Sequence, residues 1–127
     1  MAEKYEPMPI EGRRTLLWSN PHEGWWGTDN IILSSSDYSE LEVFFKATNG
    51  ARDSGNYIKV PKGYNIQLQF LATSNILSDN WIMARHLAWV NNTTFAPTLG
   101  RIIRWGTSGS DEPVNYFVIP VKIYGIK

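Results

Sequence analysis

The chain has no cysteine, so disulfide staples, thiolate metal sites and a cysteine nucleophile are all excluded. It has only two histidines, His22 and His86, far apart and without a companion at metal-ligand spacing. Neither sign of charge dominates: 12 basic and 12 acidic residues give a formal net charge of zero. They are scattered, so the basic footprint that nucleic acid demands is missing. No apolar run approaches membrane-spanning length, and no membrane insertion is expected. The first residues, Met1-Ala-Glu-Lys-Tyr-Glu-Pro, lack the apolar stretch of a secretory signal. Work outside a cell would then need lysis or an export route not encoded here. There is no phosphate-cradling glycine loop followed by Lys-Ser or Lys-Thr. The segment Gly106-Thr-Ser-Gly-Ser110 lacks the closing glycine of a nucleophile elbow, and it lies between two strands.

Aromatic rings are abundant. Six Trp, six Tyr and five Phe in 127 residues exceed what core filling requires, which points to surface or interface work for some of them. The length fits one domain, with an extended arm over residues 1–14 and a β-rich head over 15–127. Short runs rich in Val, Ile, Phe, Tyr and Trp alternate with Gly, Asn, Asp and Ser clusters. They predict strands at 15–18, 30–33, 41–48, 57–60, 64–73, 81–90, 100–105 and 114–126. Leu41, Val43, Phe45 and Ala47 share one face against Glu42 and Lys46, with Phe44 out of place on the polar side. Ile66, Leu68 and Phe70 alternate with Asn65, Gln67 and Gln69 in the same way. The segment 81–90 also reads as a helix capped by Ser78 or Asp79, and that alternative stays open. Asn91-Asn-Thr-Thr94 reads as a polar turn. The fold class expected is an all-β antiparallel sandwich, jelly-roll-like, with about eight strands.

The last strand has a second apolar face. Phe117, Ile119, Val121 and Ile123 line one side; Tyr116, Val118, Pro120, Lys122, Tyr124 and Ile126 line the other. Burial on both sides suggests a neighbouring copy, with Tyr116, Val118, Lys122, Tyr124 and Ile126 as the oligomer interface. Pro120 then requires an edge position or a bulge.

Candidate ligand contacts lie in aromatic loops. The run from Pro21 to Asn30 sets Trp25 and Trp26 between glycines, beside His22, Glu23 and Asp29. A sugar offers an apolar ring face and a rim of hydroxyls, which stacked rings and planar polar groups accommodate. Arg52 with Asp53, and Arg104 with Trp105, repeat the pattern. Arg52, Arg85, Arg101 and Arg104 are candidates for phosphate contacts. For any single Trp, plugging the end of the sandwich is the stronger alternative. Glu23, Asp29, Asp53 and Asp111 are loop acids, read as solvated groups. No catalytic set, metal or cofactor is expected.

The ending Ile119-Pro-Val-Lys-Ile-Tyr-Gly-Ile-Lys127 resembles the terminus of phage and prophage tail proteins of Gram-positive bacteria. Leu17-Trp18-Ser-Asn20, Asn30-Ile-Ile-Leu-Ser34, Asp37-Tyr38-Ser-Glu-Leu41-Glu-Val43-Phe-Phe45 and Lys59-Val60-Pro61 are similar to that family's preceding strands. The resemblance spans roughly residues 15–127. It implies a homotrimeric receptor-binding head of a tail fibre or baseplate. Such a head sits in the virion beside other tail proteins and recognises a bacterial surface saccharide or teichoic-acid-like polymer. Family members usually carry a long stalk before the head, whereas this sequence is short and starts with Met1, as expected of either an excised head or a stand-alone accessory subunit. A structural tail or capsid decoration subunit is the alternative, and a polysaccharide depolymerase is the least favoured.

Overall fold

The alternation at Leu41, Val43, Phe45 and Ala47 turns one apolar face of a strand inward, and all four side chains are buried. In the computed structural model, which describes residues 14–48, 56–73, 80–105 and 112–127, this strand is one of ten. They are β1 (Arg14–Ser19), β2 (Ile31–Ile32), β3 (Glu40–Thr48), β4 (Tyr57–Pro61) and β5 (Ile66–Thr73), followed by β6 (Asn80–Asn91), β7 (Thr94–Pro97), β8 (Gly100–Trp105), β9 (Glu112–Val114) and β10 (Phe117–Ile126). No helix occurs among the described residues.

Two antiparallel sheets form a sandwich. The first has the order β1-β10-β3-β4. In the second, β6 is the spine. It pairs with β5 on one side, and with β8 and then β7 along the other, while β2 and β9 flank β7 and β8. The core between the sheets gathers Leu41, Val43, Ile66, Leu68, Met83, Leu87, Phe95, Ile102 and Ile123. Each large side chain hidden there contributes about 2 kcal/mol.

Segment 81–90 is a strand, not a helix: Met83, Arg85 and Leu87 point inward while Ile82 and His86 are exposed, a period of two. The predicted strand at 64–73 starts at Ile66. Two strands were not foreseen. β7 follows a two-residue turn at Asn92 and Thr93, where the Asn91 carboxamide oxygen accepts from the Thr93 N–H at 2.9 Å. β9 is split from β10 by a turn at Asn115 and Tyr116, within what read as a single run. The predicted arm at 1–14 lies outside the described residues except for Arg14, which opens β1.

Strand β10 departs from simple alternation. Its ladder with β3 pairs Pro120 with Phe45 and then Lys122 with Phe44, leaving Val121 as the extra residue of a bulge. The bulge reverses the parity of the strand. Before it, Val118 and Pro120 share the inner face; after it, Ile123 does, and Lys122 and Tyr124 face out. The proline therefore sits at a bulge, though in an interior strand. Of the five residues assigned to a neighbouring copy, Val118 and Ile126 are buried within this chain's own fold. Lys122 and Tyr124 lie on the outer face beside Phe44, and Tyr116 is exposed in the β9–β10 turn. The odd Phe44 now has company: Tyr57 stacks on it at 5.2 Å, Tyr124 meets it edge-on at 5.7 Å, and the Arg14 guanidinium lies 4.0 Å from the Tyr124 ring centre.

Candidate ligand-binding cleft

The loop between β1 and β2 carries Trp25 and Trp26, and three anchors hold it. The first is Asn20, at the end of β1. Its side-chain amide donates to the Pro120 carbonyl at 2.9 Å and to the Trp25 carbonyl at 3.1 Å, and its own oxygen accepts from the His22 N–H at 2.7 Å. The β10 bulge supplies two of the acceptors, since the Asn20 N–H also donates to the Val121 carbonyl at 2.9 Å. The second anchor is Trp26. It is buried, packs edge-on against Trp18 at 5.2 Å, and donates its indole N–H to the Asp29 carbonyl at 3.1 Å. Trp26 is thus a plug of the sandwich and not a ligand contact.

The third anchor is Arg85, which overturns its sequence-based reading as a phosphate contact. It is 1 % exposed and all five of its N–H groups go to backbone carbonyls: Nε to Val118 at 2.8 Å, Nη1 to Gly27 at 3.0 Å and Thr98 at 2.8 Å, Nη2 to Asn115 at 3.4 Å and Phe117 at 3.2 Å. Burial pushes the guanidinium down to about 10, so it remains charged at neutral pH. Successive carbonyls of a strand ordinarily point in opposite directions. Here Val118 adopts φ 49°, which turns the Phe117 and Val118 carbonyls toward the same cation. A β-branched residue in that region is strained by about 1–3 kcal/mol. The Arg85 network offsets the strain.

Held this way, the loop sets Trp25 outside, 40 % exposed, with the His22 ring stacked on it at 3.9 Å and 16°. His22 then lines a cleft of about 270 Å³ against the first sheet, together with Ser19, Asn20, Glu23, Lys46, Ile119, Val121 and Lys122. Two lysines and one glutamate thus line the same cleft as an imidazole that is backed by an indole. The set suits an anion that also carries hydroxyls: Lys46 and Lys122 attract the charge, Glu23 accepts from hydroxyls, and the ring pair offers a flat surface.

The remaining predicted contacts are dispersed. Asp29 is exposed and enters through its backbone carbonyl alone. Arg52, Asp53, Ser108 and Asp111 lie outside the described residues. Arg104 and Trp105 pair with Trp81 and Asn80 in the second sheet, and only their backbone is described. Arg101 lines a separate hollow on the second sheet with Gln67, Ala84, His86, Thr98 and an edge of the buried Arg85. Lys46 was read as a polar-face residue and Lys122 as an interface residue; their pairing with neighbours in the β3–β10 ladder brings both to the cleft. Among the described residues, no group of His, Asp or Glu could hold a metal ion. No family model, curated protein or solved structure matches the chain.

Proposed function

We propose that the protein is a non-enzymatic binding module for an anionic, hydroxyl-rich polymer of the bacterial surface, a phosphate-bearing glycan or teichoic-acid-like chain. The observation that carries this reading is the convergence of Lys46, Lys122, Glu23 and His22 on one cleft, with Trp25 stacked behind the imidazole. The resemblance of the C-terminal segment suggests the setting: the head of a phage tail fibre or baseplate, acting as a homotrimer. The outer face with Phe44, Tyr57 and Tyr124 is the surface we assign to the neighbouring subunit, or to another tail protein. That same face favours the alternative of a purely structural subunit.

The test is sedimentation with purified Gram-positive cell walls, before and after acid removal of their teichoic acids. Binding that disappears with the teichoic acids, and with the double substitution Lys46→Ala and Lys122→Ala in a folded protein, supports the cleft. Unchanged binding by that variant refutes it, and no wall binding at all leaves the structural reading as the better one. Light scattering showing a monomer at micromolar concentration would contradict the trimer.

A further inference from the structure

Sheet edges carry unpaired backbone groups, and folds ordinarily blunt them with charges, proline, bulges or brevity. Most edges of this sandwich are treated in that way. β1 has a bulge between Leu16 and Trp18 and opens on Arg14; β4 carries Lys59 and ends on Pro61. β2 has two residues, and β9 has three with Pro113 among them. The exception is β5. Its eight residues, Ile-Gln-Leu-Gln-Phe-Leu-Ala-Thr, include no charge and no proline, and they pair with β6 in an unbroken register. Among the described residues, no strand pairs with its other side.

The direction of the edge groups follows from His86. Its N–H donates to the Thr98 hydroxyl at 3.0 Å and its carbonyl accepts from the Thr98 N–H at 2.9 Å, so both turn away from β5. In an antiparallel ladder, successive residues turn their N–H and C=O to opposite sides. Arg85 and Leu87 therefore bond to Leu68 and Ile66, while Gln67, opposite His86, directs its backbone groups to the free edge. Gln69 and Leu71 follow with the same parity. The Trp89 N–H agrees, since it donates to the Asn65 side chain at 3.0 Å and so faces the β5 side. Side chains alternate on the same period. Gln67 and Gln69 are exposed on the wet face, Leu68 is buried, and Phe70 is only partly covered where it packs on the core.

We propose that the β5 edge is a self-pairing surface, where a second copy of this chain adds its own β5 antiparallel about a two-fold axis. With the axis through Gln69, Gln67 of one copy meets Leu71 of the other, and Leu68 meets Phe70. Odd positions meet odd and even meet even, so the wet face and the core face both continue across the contact. The groups directed to the edge are those that a ladder sets opposite one another, and about six hydrogen bonds close it. Because β5 carries no charge, no residue meets a like charge on its image, as Lys59 or Arg14 would on their own strands. A second copy meets these conditions by symmetry, whereas a foreign strand has to match them residue by residue. One strand edge covers less than the ~800 Å² per partner of a standard interface, so association is expected only at high concentration. The inference uses the second sheet alone and rests neither on the first cleft nor on the face assigned to the trimer. If the chain is trimeric, the same contact pairs trimers.

The experiment is sedimentation equilibrium of the intact chain from about 5 µM to about 1 mM, over which the mass should double. Hydrogen exchange followed by proton–nitrogen NMR at both ends of that range locates the contact. Amide protection should rise with concentration at Gln67, Gln69 and Leu71, and by less at Leu68 and Phe70, which are already bonded to β6. Gln69→Lys sets two ammonium groups beside the axis and should weaken the doubling at least about tenfold. Its side chain is exposed, so the melting temperature should not change. A constant mass across the range overturns the inference and leaves the edge to a strand of another protein. Doubling that leaves the three edge amides exchanging freely also overturns it, as does doubling that persists unweakened in Gln69→Lys. Wall binding in Gln69→Lys should equal that of the parent chain, which keeps this result separate from the fate of the first cleft.

Discussion

Replacing Arg85 by Met would remove the five N–H groups that hold the Gly27, Thr98, Asn115, Phe117 and Val118 carbonyls. Arg85 itself is 1 % exposed, so little water stands ready to take over at the inner carbonyls, although Thr98 and Asn115 lie at the surface. Each stranded carbonyl costs about 1 kcal/mol at the low end, so the gross loss is about 5 kcal/mol. Removing the buried charge and adding an apolar side chain offset about 2 kcal/mol of this. The net destabilisation expected is about 3 kcal/mol, a large share of a domain's whole stability and roughly 10 °C in melting temperature. Arg85→Lys retains three donors and should fall between, near 2 kcal/mol. Urea unfolding followed by tryptophan fluorescence measures both, and near-UV circular dichroism should report loosening around Trp26. A Met variant within 0.5 kcal/mol of the parent protein would refute the argument that the guanidinium is a structural cross-link, because desolvation would then cancel everything that it ties together.

Other substitutions separate packing from binding. Gly100→Ala would set a Cβ 2.0 Å from the Phe117 carbonyl oxygen, which is backbone and cannot step aside; thermal unfolding should show a loss of about 2 kcal/mol or more. Trp26→Ala should cost about 3–5 kcal/mol, whereas Trp25→Ala, at an exposed ring, should cost under about 1 kcal/mol while weakening wall binding. Tyr38→Phe removes an unpaired buried hydroxyl and should raise the urea midpoint by the equivalent of about 1 kcal/mol at neutral pH. The folded phenol is held above its ordinary value of 10.0, so its contribution to stability is complete below that pH and is lost as pH rises through the folded value; the Phe variant should lack this alkaline component.

Strand periodicity made much of the architecture readable. The alternations at 41–47 and 66–70 identify inner faces, and a two-residue period at Met83, Arg85 and Leu87 was present to settle strand against helix. That same period places Arg85 inside, a signal outweighed by the general habit of arginines to stay in water. What selects its partners is invisible in one dimension, because three distant segments present carbonyls and no side-chain chemistry marks them. The parity reversal in β10 was hidden for a related reason. A bulge is defined by the partner strand, and nothing within 117–126 says that Phe44 and Phe45 take Lys122 and Pro120. For the site, the loop of Trp25 and Trp26 was legible as aromatic, but the division of labour between an exposed ring and a buried plug needed Trp18 and Asp29 in place. Lys46 and Lys122 enter only through cross-strand register.

Because the guanidinium at the centre grips main-chain oxygens, it is indifferent to which amino acids those segments carry. Substitutions along those segments can change the surface they present while the connection itself keeps its place. Such a scaffold lets loop chemistry drift without first having to rediscover how to fold.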